Sequence, residues 1–110
     1  MRIAVSSMGK TLDSEVADVF GRCAYFLIIE DGEIKEIVEN ISANQMDGAG
    51  ISAAQLVAEK NVSAVIAGNI GPRALDVFKQ FNIKVYKGAG PVKEVIEKLG
   101  KNELESVGKQ

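Results

Sequence analysis

The sequence predicts an α/β fold of three layers, in which a mixed central sheet lies between helices on both faces. The main observation is that apolar segments alternate with amphipathic ones along the second half, as in parallel strands joined by crossover helices. A second is the turn pair Asp31–Gly32 between two strand-like segments, which predicts an antiparallel ribbon. A third is that glycine-bearing turns precede the helical patterns, as they do where strands lead into helices in open sheets.

The first half of the chain carries the ribbon. Arg2–Ser6 is a short apolar segment typical of a first strand, and Ala24–Glu30 is rich in β-favouring residues. Glu33–Asn40 alternates apolar and polar residues and predicts a half-exposed partner strand. Between the first two strands, Ser14–Phe20 predicts a helical turn with its valines and phenylalanine inward. Ile41–Gly50 is polar and without periodicity, and predicts a loop.

The second half predicts three helices and two buried strands. The helices are expected from Ile51, over Pro72–Phe81 and over Pro91–Leu99, and the strands over Val62–Ala67 and Ile83–Tyr86. Pro72 suits the first position of a helix, and Gly100 is expected to end the last one. Residues 101–110 are polar and predict a tail that frays, within a single domain that spans 1–110.

Composition and charge limit the function. The 110 residues include 13 basic and 15 acidic side chains, a net charge of −2, which argues against broad nucleic-acid binding. A single cysteine cannot form an internal disulfide and favours a reducing compartment. The longest apolar runs are too short to span a bilayer, and the amino terminus is typical of a strand rather than a signal peptide. We therefore expect a cytoplasmic protein that does not bind a membrane.

The glycine-bearing turns predict a site for an anion. They are Gly48–Gly50, Gly68–Pro72 and Gly88–Pro91. One interpretation is purely structural, because glycine lets a chain leave a strand and enter a helix. The other is that the turns meet at one edge of the sheet, where the N–H groups of helix starts bind an anion. In that case the donors of the cradle are the backbone N–H groups around Gly50, Gly71 and Gly90.

Side chains near these turns extend the hypothesis. Arg22 and Arg73 are candidates for the countercharge to an anion, and Arg73 in the first turn of a helix opposes the helix dipole. Cys23 lies beside Arg22, which would lower the thiol pKa and favour a metal-binding thiolate, although a lone cysteine is more commonly a small buried hydrophobe. Met8 and Met46 are auxiliary thioether candidates, or loop residues that cover apolar surface.

Catalysis is not expected. The chain contains no histidine, so Cys23 has no imidazole to activate it. Ser6–Thr11 ends in Gly-Lys-Thr, but Ala4 stands where a Walker-type phosphate loop needs its first glycine. The nearby acidic residues are interpreted as a solvated face rather than a magnesium site; they are Asp13, Glu15 and Asp18. We predict a binding protein rather than an enzyme.

Several motifs, in order along the chain, resemble one family. Phe20–Ile28 is similar to the Phe-Gly-Arg-x-x-Tyr-Phe signature of the dinitrogenase iron–molybdenum cofactor-binding family, and Gly48–Leu56 resembles its first helix. Ala64–Pro72 resembles its central strand and turn, and Val85–Glu94 its last strand and helix. The resemblance extends over nearly the whole chain.

The resemblance implies a ribonuclease H-like fold and the binding or carriage of iron–molybdenum cofactor or another metal–sulfur cluster. Members of the family often use histidine, including in the loop before the first helix, where this chain has Asn44–Asp47. Cys23 is the one strong soft ligand left. The expected function is to bind an anionic iron–molybdenum or iron–sulfur cluster, with Cys23 as metal ligand, cluster donor and acceptor proteins as partners, and a monomeric or weakly dimeric state.

One alternative stays open, and another is disfavoured. The same cradle suits a regulatory or interaction module that binds a phosphate-type anion or a partner ATPase and holds no metal. A nuclease is disfavoured, because that chemistry needs several carboxylates around two magnesium ions and the first strand, Arg2–Ser6, has no acidic residue.

Overall fold

Six strands form one mixed sheet in the computed structural model, which describes residues 1–108. They are β1 (Arg2–Ser7), β2 (Tyr25–Glu30), β3 (Glu33–Glu39), β4 (Ala64–Ala67), β5 (Lys84–Lys87) and β6 (Glu105–Val107). Their order across the sheet is β3-β2-β1-β4-β5-β6. The β1, β4 and β5 strands are parallel. The β1–β2, β2–β3 and β5–β6 pairs are antiparallel, so β3 runs in the direction of β1. The carboxyl ends of β1, β3, β4 and β5 therefore share one edge.

Three α-helices cover the two faces of the sheet. α1 (Ala49–Ala58) and α2 (Pro72–Gln80) pack on one face, and α3 (Val92–Gly100) packs on the other. The predicted α/β fold with a mixed sheet is confirmed, and its two cores place helices on both faces. None of the helices found in residues 1–108 has the length and apolar character needed to cross a bilayer.

Three phenylalanine rings form the centre of the core beneath α1 and α2. The ring centroid of Phe20 lies 5.3 Å from that of Phe26 on β2 and 5.5 Å from that of Phe78 on α2, the latter pair edge to face. All three side chains are buried, and each such burial stabilises the fold by roughly 1.5–3 kcal/mol. Phe20 begins a short 3₁₀ turn, Phe20–Arg22, so this packing fixes the turn against the sheet.

The predicted strands and the three predicted helices are confirmed, with ends that shift by one or two residues. The predicted helical turn Ser14–Phe20 is wrong, because this segment forms isolated bridges to its neighbours. The N–H of Val16 donates to Gly90 O, and that of Ala17 donates to Ser6 O. A single helical turn gains little, since its nucleation is unfavourable, and these tertiary hydrogen bonds determine the extended conformation.

The carboxyl-terminal segment is more ordered than its polar sequence predicts. Glu105–Val107 forms β6, which pairs with β5 and closes that edge of the sheet. Leu104 and Val107 pack against opposite cores. The expectation of a frayed tail is thus wrong for β6, because the free edge of β5 offers backbone partners that composition does not reveal. Residues 109 and 110 lie outside the described residues.

Candidate functional site

A cleft of about 360 Å³ opens at the edge where β1, β3, β4 and β5 end. Its walls are the 3₁₀ turn and the amino-terminal ends of α1 and α2. α1 follows the loop after β3, and α2 follows the short turn after β4. The topology of the sheet therefore brings together two helix starts that are more than 20 residues apart in sequence.

Glycines allow the walls of the cleft to approach closely. A Cβ atom added at Gly21 would lie 2.9 Å from both the Cα and the N atom of Gly50, nearer than real Cβ atoms come. On the other side of α1, a Cβ at Gly50 would lie 3.6 Å from Cβ of Ala74 on α2, an ordinary contact. The 3₁₀ turn thus packs directly on the backbone at the start of α1, which only glycine at position 21 permits.

The helix starts supply hydrogen-bond donors that the protein itself leaves unused. Within residues 1–108, the backbone N–H groups of Ala49, Gly50 and Ile51 on α1 have no acceptor, and neither do those of Arg73 and Ala74 on α2. Neither helix has a side-chain cap or an acidic residue in its first turn. Both ends therefore carry their partial positive charge into the cleft, where an anion can accept from them.

Two arginines add full positive charge, and no carboxylate of residues 1–108 lines the cleft. The Nη1 atom of Arg22 donates to Ala43 O and to Gln45 O, each at 2.7 Å. Arg73 makes no ion pair or side-chain hydrogen bond to the described residues. Because the remaining lining is mainly apolar, the cleft suits a compact anion whose charge is met by N–H donors rather than by water.

Comparison with known proteins identifies the family. The sequence model of the family described as dinitrogenase iron–molybdenum cofactor matches residues 1–102. This chain belongs to that family. A curated relative, an uncharacterised protein of Methanocaldococcus jannaschii, is 54% identical over a stretch that covers 62% of this chain and 61% of that protein, less than two thirds of its length.

Two solved structures have the same architecture. One is the apo form of the orange protein from Desulfovibrio gigas, with a TM-score of 0.90 and 30% identity, covering 97% of this chain and 92% of that one. The other is a protein of Thermotoga, assigned provisionally as a NifB protein, with a TM-score of 0.83 and 35% identity, covering 99% of this chain and 95% of that one. The α/β fold with six strands and three helices is thus shared with these relatives.

The third predicted turn does not contribute to the cleft of this family member. Gly90 lies outside the lining, and the start of α3 is already occupied. The N–H of Val92 donates to Ser14 O, and that of Lys93 donates to Leu12 O. The placement of Gly90 in a common cradle with Gly50 and Gly71 is therefore corrected, because the extended segment after β1 uses the donors of α3.

Cys23 is buried rather than exposed beside its arginine. Its side chain is 0% exposed, and its Sγ atom lies 3.7 Å from Nδ2 of Asn40. Burial raises the pKa of Cys23 to about 12, although the hydrogen bond from Asn40 lowers it in part. Of the two interpretations of Cys23, the small buried hydrophobe is confirmed and the thiolate with a lowered pKa is wrong. The predicted role of Cys23 as metal ligand, which depended on that thiolate, gains no support from the geometry.

The other soft candidates also lie outside the lining. Met8 is 59% exposed after β1, and Met46 is 92% exposed in the loop before α1. Within residues 1–108 no group of three or more histidine, cysteine, aspartate or glutamate side chains could hold a metal ion. The cleft therefore offers backbone N–H groups and arginines, and no side-chain metal ligands.

Two asparagines shape the site and were missed by the sequence reasoning. Asn69 lines the cleft, and its backbone fixes the 3₁₀ turn by accepting from the N–H of Phe20. Asn40 is buried, and its Nδ2 atom donates to Gly21 O and Cys23 O. Asn69 could have been identified from the sequence, because it directly follows Gly68 at the end of an apolar strand. Nothing local in the sequence identifies Asn40.

Proposed function

We propose that this protein binds, as cargo, an anionic metal–sulfur cluster of the iron–molybdenum or iron–sulfur type. One observation carries the proposal: in a member of the dinitrogenase iron–molybdenum cofactor family, a cleft without carboxylates combines five unused backbone N–H groups with two arginines. Such a set of donors matches a compact polyanion.

The chemistry of the donors defines how the cargo is held. N–H groups at the starts of α1 and α2 donate to the outer sulfur atoms of the cluster, and the guanidinium groups of Arg22 and Arg73 balance its charge. No side chain of the cleft forms a bond to metal. The cluster is held by charge and hydrogen bonds alone, and can be released without breaking a covalent attachment, as a carrier requires.

The remaining features of the proposal follow from this mode of binding. The protein acts as a carrier and not as an enzyme, and its partners are proteins that donate or accept the cluster. It works in the cytoplasm as a monomer or weak dimer, without nucleic acid or membrane. We also propose that its mixed sheet is related to the ribonuclease H fold.

A second candidate is favoured by the same lining. Because no histidine, cysteine or methionine lines the cleft, the donors also suit a phosphate-type anion, as in a regulatory module that holds no metal or that acts with a partner ATPase. Phosphate is a harder and more strongly hydrated anion than a sulfide cluster. The two candidates therefore differ in whether the apolar lining assists binding.

Anaerobic purification tests the proposal. The protein is purified without oxygen, and its metal and sulfide contents and visible absorption are measured. We expect about one cluster per chain, retained in Cys23→Ala and lost in Arg73→Glu, because the reversed charge repels an anion at the start of α2. A colourless, metal-free protein that also takes up no supplied cluster would refute the carrier function, and protection by phosphate would then favour the second candidate.

A further inference from the structure

Arg22 connects the cleft to the loop that leads into α1. This loop, residues 41–48, is called the cleft loop. Two of its carbonyl groups, Ala43 O and Gln45 O, accept from Nη1 of Arg22 at 2.7 Å. In the described part of the chain, residues 41–47 make no other hydrogen bond to any residue outside 39–48. Among the described residues, Arg22 is thus the only residue outside 39–48 that forms hydrogen bonds with residues 41–47.

The hydrogen bonds from Arg22 to the cleft loop affect the position of the amino-terminal end of α1. The loop is fixed at its beginning by Asn40, which is bound to the segment around the 3₁₀ turn. It ends at Gly48, the residue that precedes α1, in a left-handed conformation with φ of 71°. The position of that residue sets the direction in which α1 begins, and so the placement of the three unused N–H groups that follow it.

The guanidinium of Arg22 has N–H donors that the cleft loop does not use. Nη1 serves the loop, whereas Nε and Nη2 have no partner in residues 1–108, although Arg22 lines the cleft. A planar guanidinium presents five N–H donors in a fixed fork, so one edge can stay on the loop while another meets an anion. A lysine ammonium has the same charge but lacks this planar arrangement of donors.

We propose that Arg22 is a positioning residue, which holds the cleft loop and thereby the amino-terminal end of α1 in place, and that an anion in the cleft tightens this hold. The second half of this statement rests on the proposed function, whereas the first half does not. Arg22 keeps its bonds to Ala43 and Gln45 when the anion binds, and the loop becomes less mobile.

Amide hydrogen exchange, read by mass spectrometry, tests this proposal on the full chain without oxygen. The peptides that cover residues 40–52 are followed in wild type, Arg22→Lys and Arg73→Lys, with and without tetrathiomolybdate as probe. Arg73→Lys is the matched control, because it makes the same change at a cleft arginine that holds no loop. Exchange in β1 and β2 shows that each variant is folded.

Without the probe, we expect the protected amides of Ser42, Ala43, Gln45 and Ser52 to exchange on the order of tenfold faster in Arg22→Lys, as loss of a charge-assisted hydrogen bond implies. Arg73→Lys should match wild type. With the probe, exchange should slow further in wild type and not in Arg22→Lys.

Equal exchange in Arg22→Lys and wild type would overturn the positioning role. Faster exchange in wild type on addition of the probe would show that the guanidinium leaves the loop for the anion, and would overturn the tightening. A probe that changes no exchange and does not bind at all would count against the proposed function and against the tightening, while the comparison without probe would still decide the positioning role.

Discussion

The Cys23 thiol shows how two neighbouring residues come to have opposite environments. The 3₁₀ turn ends at Arg22 and the chain becomes extended at Cys23, with φ of −65° and ψ of 156°, so the two side chains leave the backbone in different directions. Arg22 is accordingly exposed and bonds to the cleft loop, whereas Cys23 is buried among the core residues beneath α1 and α2. The position of Cys23 next to Arg22 in the sequence therefore did not predict the environment of the thiol, because the direction of each side chain depends on backbone conformation and packing.

The raised pKa of Cys23 makes stability depend on pH in a defined direction. Folding raises the thiol pKa from 9.0 to about 12, so between these values the unfolded chain has lost the thiol proton and the folded protein has kept it. The contribution of Cys23 to stability is complete below pH 9 and is lost as pH rises toward 12. We expect the free energy of unfolding, measured by urea denaturation, to fall less steeply with pH from 9 to 11 in Cys23→Ala than in wild type.

Parallel slopes for the two proteins would contradict the buried environment of Cys23. Comparison of the two proteins cancels the pH dependence that all other groups contribute. Alkylation of the thiol in folded wild type gives a second readout, and it should stay slow at pH 9, where an ordinary thiol reacts as thiolate.

The junction between the 3₁₀ turn and α1 depends on one close backbone approach. Gly21 lies directly over Gly50, and the buried ring of Phe20 holds the turn in this position. Loss of this junction would displace the start of α1 and, with it, the donors of the cleft. By contrast Gly71, which precedes α2, has open space around it and an ordinary extended conformation, with φ of −76°.

Gly21→Ala and Gly71→Ala form a matched pair that tests the junction. We expect Gly21→Ala to lower the free energy of unfolding by about 1–3 kcal/mol, because the added methyl group meets backbone that cannot rotate away. Gly71→Ala should change it by less than about 0.5 kcal/mol, because alanine restricts the unfolded chain but is a poorer N-cap for α2 than glycine. Urea denaturation measures both, and equal effects of the two substitutions would show that the junction is not close-packed.

Elements with strong local patterns could be predicted from sequence, and those that depend on distant partners could not. The strand Ala64–Ala67 and the helix Pro72–Gln80 follow from an apolar run and from a proline start with an apolar stripe. The extended segment after β1 and the short strand β6 exist because carbonyl and N–H groups elsewhere in the fold pair with them. The sequence of these two segments does not indicate such partners.

At the scale of the whole molecule, strand direction creates the site. Four strands end at the same edge, and this places the starts of α1 and α2 side by side around one cleft. The glycine turns allowed this convergence to be predicted, together with the positions of Gly50, Gly71, Arg22 and Arg73. The exclusion of Gly90 could not be predicted, and the burial of Cys23 was only one of two interpretations, because both result from tertiary packing of the segments after β1.

We propose that an anionic metal–sulfur cluster binds to the free N–H groups at the starts of α1 and α2. The most direct test is a titration of ¹⁵N-labelled protein with tetrathiomolybdate, without oxygen, followed by amide chemical shifts. We expect the largest shifts at Ala49, Gly50, Ile51, Arg73 and Ala74, with the occupied donors Val92 and Lys93 of α3 unaffected, and weaker shifts with equimolar phosphate. No shifts, or shifts centred on α3, would contradict it.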